Sequence, residues 1–134
     1  MLSLAAIVRS RDVLVHAGFW LVQDYLREIY ELDRRQFPTL REIERAIGPI
    51  EAEALPVPAD CTDGFLGAYW RRPAEYLDPR ARAAISTFSR FDTAAAIARL
   101  AAELVDGTWS ARHRELLNRS ELDVGYRLVV ARSE

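Results

Sequence analysis

The apolar positions change period several times along the chain, and each change marks an element. From Phe19 onward, Phe19, Val22, Leu26 and Ile29 recur at helical spacing while Gln23, Asp24, Arg27, Glu28 and Glu31 lie mostly elsewhere around the wheel. This predicts an amphipathic surface helix ending before Pro38, supported by the i,i+4 pairs Arg27–Glu31 and Glu31–Arg35. Thr39 and Glu42 have the spacing of a capping box, and a short helix carrying Leu40, Ile43 and Ile47 inward runs from them to the stop Gly48-Pro49. Ile50–Leu55 alternates at period 2, the pattern of a half-buried strand that Pro56 and Pro58 end or hold at an edge. Asp78-Pro79 opens a helix with Ala81, Ala84, Ile85 and Phe88 on one face, and Asp92-Thr93 opens another with Ile97, Leu100, Ala101 and Leu104 inward and Gly107 as its stop. Trp109 anchors a turn, Ser110–Leu117 forms a short helix, and the β-rich run Val124–Ala131 is a strand. Ahead of Phe19, Leu2–Val8 reads as the last turns of a helix, and Val13–Val15, bounded by Asp12 and Gly18, as a short buried strand.

The predicted order is helix end, strand, two helices, strand, long connection, three helices, strand. That is an α/β pattern with three strands, whose Val13–Val15 edge is unprotected and open to pairing with another chain. At 134 residues, half of them apolar, residues 1–134 are expected to form one domain. A formal charge of −2 provides no field to gather nucleic acid or anionic lipid, so neither is an expected partner. One cysteine excludes an internal disulfide framework and suits a reducing compartment, and two histidines leave no metal-ligand cluster in view. Arg9, Arg11 and Asp12 interrupt the N-terminal apolar runs, which fall short of the ~20 residues of a membrane span and do not follow the charge order of a signal peptide. A cytoplasmic protein is expected.

One stretch has no period. Pro58–Asp78 gathers aromatics, two arginines, carboxylates and the only cysteine, and it reads as a shaped loop at the carboxyl end of a strand. Asp60 and Asp63 either place carboxylates at the mouth of a cleft, Asp63 being the candidate proton acceptor, or form turns by bonding nearby amides. Cys61 has no histidine near it in sequence and reads as a small buried hydrophobe. Tyr69, Trp70, Arg71 and Arg72 set two aromatic faces beside two guanidiniums, suited either to a ligand ring or carboxylate or to internal packing with Glu75 and Asp78. His16 and His113 read as structural. The six glycines never form a phosphate cradle after a strand, which argues against self-contained nucleotide binding.

The run Asp60-Cys-Thr-Asp-Gly-Phe-Leu-Gly-Ala-Tyr-Trp-Arg-Arg-Pro73, then Glu75-Tyr-Leu-Asp-Pro79, Asp106-Gly-Thr-Trp109, Arg112-His113 and Leu122–Ala131, resembles the C-terminal half of bacterial class I S-adenosylmethionine-dependent methyltransferases. Phe19–Tyr25 is similar to the helix start after the fifth strand of those enzymes. The resemblance implies a partial Rossmann-like sheet with flanking helices and a helical insertion. Val13–Val15 would be the fifth strand, Ile50–Leu55 the sixth, and Val124–Ala131 the seventh, antiparallel and inserted between the other two. It further implies that Asp60, Asp63, Tyr69, Trp70, Arg71 and Arg72 wall a small-molecule methyl acceptor or hold the loop that does. The family's glycine-rich loop and ribose-binding acidic residue have no counterpart, and Asp12-Val13 stands where a proline-glycine lead-in is usual. S-adenosylmethionine is therefore the implied cofactor but is not expected to bind this chain tightly alone, and the implied partners are a polypeptide supplying the missing half or a second copy. A reading from another class is a non-enzymatic interaction module that oligomerises through its open sheet edge.

Overall fold

A computed structural model describes residues 3–16 and 19–132. Its centre is a three-stranded sheet in the order β1 (Ser3–Arg9), β5 (Tyr126–Arg132), β2 (Ile50–Ala54), with β5 antiparallel to both neighbours. β1 and β2 therefore run in the same direction on either side of the last strand. A second, minimal pairing joins β3 (Val57–Pro58) to β4 (Glu121–Leu122). The helices are α1 (Arg11–His16), α2 (Arg27–Gln36), α3 (Leu40–Ile47), α4 (Pro79–Ala83), α5 (Ser86–Arg90), α6 (Ala94–Asp106) and α7 (Thr108–Arg112).

The α/β class agrees with the sequence pattern and the antiparallel final strand with what the resemblance implies, but the first two elements are interchanged. The segment expected to end a helix is strand β1, because every residue from Ser3 to Arg9 finds a partner on β5, from Ser3 opposite Arg132 to Arg9 opposite Tyr126. Val13–Val15, expected as a strand, lies inside α1. The three-residue run Val-Leu-Val is too short to outweigh a ladder seven residues long, and Asp12 serves the helical layer by accepting from the Leu40 amide at 3.3 Å. The unprotected edge is accordingly β1. Gly18, the other proposed boundary of that strand, and the side chain of His16 lie outside the described residues.

The helix expected from Phe19 is broken. Phe19, Trp20, Leu21, Val22, Tyr25 and Leu26 are all buried, which one amphipathic stripe cannot achieve, so Leu21–Tyr25 forms a π-helical turn and Leu26 leaves helical geometry before α2 begins. Thr39 caps α3 as expected, its hydroxyl accepting from the Glu42 amide at 3.1 Å, whereas Ile47, expected inward, is 52% exposed. The helix expected after Asp78-Pro79 is two short ones, and Trp109 belongs to α7 where a turn was expected. Asp78 does cap its helix start, accepting from the Arg80 amide at 2.9 Å, and Gly107 (φ +86°) ends α6 in the left-handed conformation.

The core is aromatic. Trp20 packs edge-on against Trp109, Tyr25 and Tyr76, with ring centres 5.2, 5.8 and 5.9 Å away. Two indoles form a relay: Trp20 Nε1 donates to the Trp70 carbonyl at 2.9 Å, and Trp70 Nε1 donates to the Val57 carbonyl at 2.8 Å. Tyr76 closes the same region, its hydroxyl donating to Leu66 O at 2.6 Å and accepting from the Tyr69 amide at 3.0 Å. The stretch read as a loop outside the core thus supplies Leu66, Ala68, Trp70 and Tyr76 to it, all buried.

The relay separates a packing cost from a hydrogen-bond cost. Trp70→Ala should cost about 3–5 kcal/mol as a cavity. Trp20→Phe keeps most of the ring but leaves the Trp70 carbonyl without its indole donor, for about 1–3 kcal/mol. Urea unfolding of the two variants checks both values and their order.

Candidate functional site

The direction shared by β1 and β2 places their carboxyl ends at the same end of the sheet, the end at which α/β folds generally bind ligands. Beyond β2 the chain is steered by prolines: Leu55 donates to Tyr126 O at 3.0 Å, Pro56 turns the backbone, and Val57-Pro58 pairs with β4. Between this segment and the sheet lies a cavity of about 540 Å³ lined by Ile7 from β1, Leu55–Pro58, Cys61, Asp63, Phe65 and Tyr126 from β5. Its walls are mostly carbon. The Phe65 and Tyr126 rings meet edge to face at 5.5 Å and 80°.

Burial pushes the Tyr126 phenol above its ordinary value, opposed by the Arg9 guanidinium and the Gly67 amide. Gly67 is itself a close-approach position. A Cβ there would sit 2.8 Å from Val124 Cγ2 and 3.0 Å from Tyr126 Cε2, so a side chain would push the ring out of place. Cys61 is half-buried, with its Sγ 4.0 Å from the Asp63 carbonyl. Asp63 is exposed.

The residues singled out from sequence do not converge. Asp63 lines the strand-end cavity. Asp60, Arg71 and Arg72 border a different hollow of about 350 Å³ with Ala59. Trp70 has no exposed surface and is committed to the indole relay. Tyr69 is half-buried beneath the Arg72 guanidinium, 5.2 Å from its ring centre, while Arg72 also donates to the Cys61 carbonyl and Arg71 to the Arg119 carbonyl at 3.2 Å. Ile7, Leu55, Phe65 and Tyr126 were not identified from sequence, because β1 was not recognised as a strand and its end could not be placed beside Tyr126. The prolines after β2 were the available signal. Two hollows of about 390 and 570 Å³ flank α6 on the helical side, away from the strand ends.

His113 is a packing residue. Its ring lies 5.1 Å from Trp109 and 5.7 Å from Trp20, with Nε2 at 3.4 Å from Asp24 Oδ2, an ion-pair distance without hydrogen-bond alignment. Burial lowers its proton affinity, Asp24 and Glu103 oppose that shift, and Arg112 adds to it. Tyr25 belongs to the same network, donating to Glu103 Oε1 at 2.8 Å. Among the described residues no cluster of His, Cys, Asp and Glu could hold a metal ion, and no helix is long and apolar enough to cross a membrane.

S-adenosylmethionine, the cofactor the resemblance implies, does not fit the residues at the strand ends. An adenosyl cation needs donors and acceptors for its adenine and ribose, and the apolar cavity offers Asp63 as its one charged group.

Gly67→Ala should destabilise the fold by about 1–3 kcal/mol and displace Tyr126, read by urea unfolding and by the aromatic NMR resonances of Tyr126 and Phe65. For His113 the folded state binds the proton more weakly than the unfolded chain does. Its contribution is complete above the ordinary value near 6.5 and is lost as pH falls below it. Melting temperature should therefore decline from about pH 7 to 5.5, with a shallower slope in His113→Phe.

Comparison with known proteins supplies one informative match. No family model matches the chain, and no curated protein does. Among solved structures, 98% of the chain superposes, with a TM-score of 0.85 and 27% identity, on a protein of Anabaena variabilis ATCC 29413 described as a putative methyltransferase from an antibiotic biosynthesis pathway. The chain spans 55% of that protein's length. The fold is thus that of a segment of a methyltransferase-like protein.

Proposed function

We propose that this chain is the acceptor-side part of a methyltransferase, walling a small-molecule acceptor for methyl transfer from S-adenosylmethionine and acting only when another polypeptide segment supplies the cofactor half. The observation that carries this is the apolar cavity at the carboxyl ends of β1 and β2, in a fold that matches just over half of a methyltransferase-like protein. On this reading β1, β2 and β5 correspond to the fifth, sixth and seventh strands of the family's sheet. β1 takes the place first expected of Val13–Val15. Asp63 is the group placed to accept a hydrogen bond or proton from the acceptor, and Asp60, Arg71 and Arg72 lie on an outer rim. The protein works in the cytoplasm, without nucleic acid or membrane partners.

The bare edge of the sheet supports the need for a second segment. Leu4-Ala-Ala-Ile-Val8 is apolar on both faces, as strands covered on both sides are, yet Leu4 is 70% and Ile7 67% exposed. The same observation favours a second reading, a module that pairs with another copy of itself through β1.

Calorimetry with S-adenosylmethionine separates these. The isolated chain should give no tight binding. Joined to the part of the Anabaena protein that it does not match, it should bind the cofactor. Tight binding by the isolated chain would place the cofactor site within these residues and overturn the proposal. Static light scattering at high concentration tests the second reading, which a clean monomer contradicts.

A further inference from the structure

The strand-end cavity carries a statement about ligand class, which rests on the proposed function by naming the acceptor of the same site. Its walls come from Ile7, Leu55, Val57, Phe65 and Tyr126, and two prolines stiffen the rim. A volume of about 540 Å³ accommodates a fused bicyclic ring, and the edge-to-face pair of Phe65 and Tyr126 offers flat surface to stack or slot against.

Charge narrows the class. Asp63 is the one charged residue of the lining, and no arginine or lysine is part of it. Neighbouring guanidiniums are committed elsewhere. Arg9 pairs with Asp33 at 3.4 Å and stacks over Phe37, Arg72 stacks over Tyr69 and bonds the Cys61 carbonyl, and Arg127 pairs with Asp123 at 2.8 Å. A ligand carboxylate or phosphate entering here would face Asp63, and the one guanidinium whose charge reaches the lining, Arg9 beside Tyr126, is already paired with Asp33. A hydroxyl or amine would find an acceptor.

We propose that the cavity takes a neutral, flat aromatic compound bearing a phenolic hydroxyl or arylamine, and rejects its carboxylate counterpart. The Tyr69–Arg72 cluster, which would suit an aromatic acid, plays no part in this recognition because it does not line the cavity: Trp70 is buried, and Arg71 and Arg72 border the separate hollow beside Asp60.

The test titrates 2-naphthol and 2-naphthoate into the full chain at neutral pH, following the methyl NMR resonances of Ile7, Leu55 and Val57. 2-Naphthol should shift these resonances, with 2-naphthoate binding at least about tenfold more weakly. Asp63→Asn should narrow that gap severalfold by removing the repulsion. Ile7→Trp, at an exposed strand position where a larger ring does not threaten the core, should fill the cavity and abolish the shifts. Equal or tighter binding of 2-naphthoate, an unchanged gap in Asp63→Asn, or 2-naphthol shifts that survive Ile7→Trp would each overturn the proposal. So would the absence of any shift with 2-naphthol. The titration uses no cofactor, so 2-naphthol binding by this chain, together with failure of the joined chain to bind S-adenosylmethionine, contradicts the methyltransferase reading and leaves this one standing.

Discussion

The structure depends on two indole N–H groups. A buried indole has one donor and no acceptor; these two each meet a carbonyl, whereas the equally buried Trp109 N–H meets none. Trp20 uses the carbonyl of Trp70, and Trp70 uses that of Val57. This fixes the helical layer to the non-periodic stretch, and that stretch to the segment leaving β2. Prolines and short turns shape residues 55–72 locally, such as Cys61 N–H to Pro58 O and Ala68 N–H to Phe65 O, but do not tie the turns to one another. The relay, with Tyr76 bonded to Leu66 and Tyr69, does so from within the core. The cavity wall formed by Leu55–Pro58 is therefore a consequence of core packing and is not a free loop.

A second constraint is the uneven treatment of the sheet. The central strand is covered best, with Val129 and Ala131 buried, while β2 and most of β1 are exposed. The two outer strands differ in composition. β2 carries Glu51 and Glu53 on one face, a common means of discouraging further pairing. β1 carries no charge from Leu4 to Val8. Burying Leu4 and Ile7 would be worth about 1.5–3 kcal/mol each, and a single two-fold pairing of β1 with another copy would extend the sheet without covering either face. A segment that brings both a strand and covering helices satisfies both the open backbone and the apolar faces.

The sequence was informative wherever one local signal sufficed. Thr39, Asp78 and Gly107 mark helix ends by their own chemistry, and β5 carries the strand formers Tyr126, Val129 and Val130. It was uninformative where the deciding partner lies far away. Leu-Ala-Ala-Ile-Val suits helix or strand equally, and only pairing with residues 126–132 selects the strand. That one misassignment hid the cavity, since Ile7 cannot be placed beside Tyr126 until β1 exists. The dense cluster Tyr69–Arg72 has structural work that its sequence does not display. Its residues are concentrated because Trp70 closes the core, Tyr69 receives Arg72, and the arginines tie carbonyls of separate turns together.

The two constraints meet at Ile7. Its side chain belongs to the exposed apolar edge of β1 and also lines the cavity at the strand ends. Whatever covers β1 therefore also borders one wall of the cavity, and the two surfaces are not occupied independently. A polypeptide docking on the edge buries Ile7 and narrows the cavity, which raises the apolar contact available to a flat ligand. By reciprocity, a ligand held between Ile7 and Tyr126 stabilises the docked arrangement by the same free energy. An enzyme divided at this edge would thus couple assembly to acceptor binding through one isoleucine, without any element having to move.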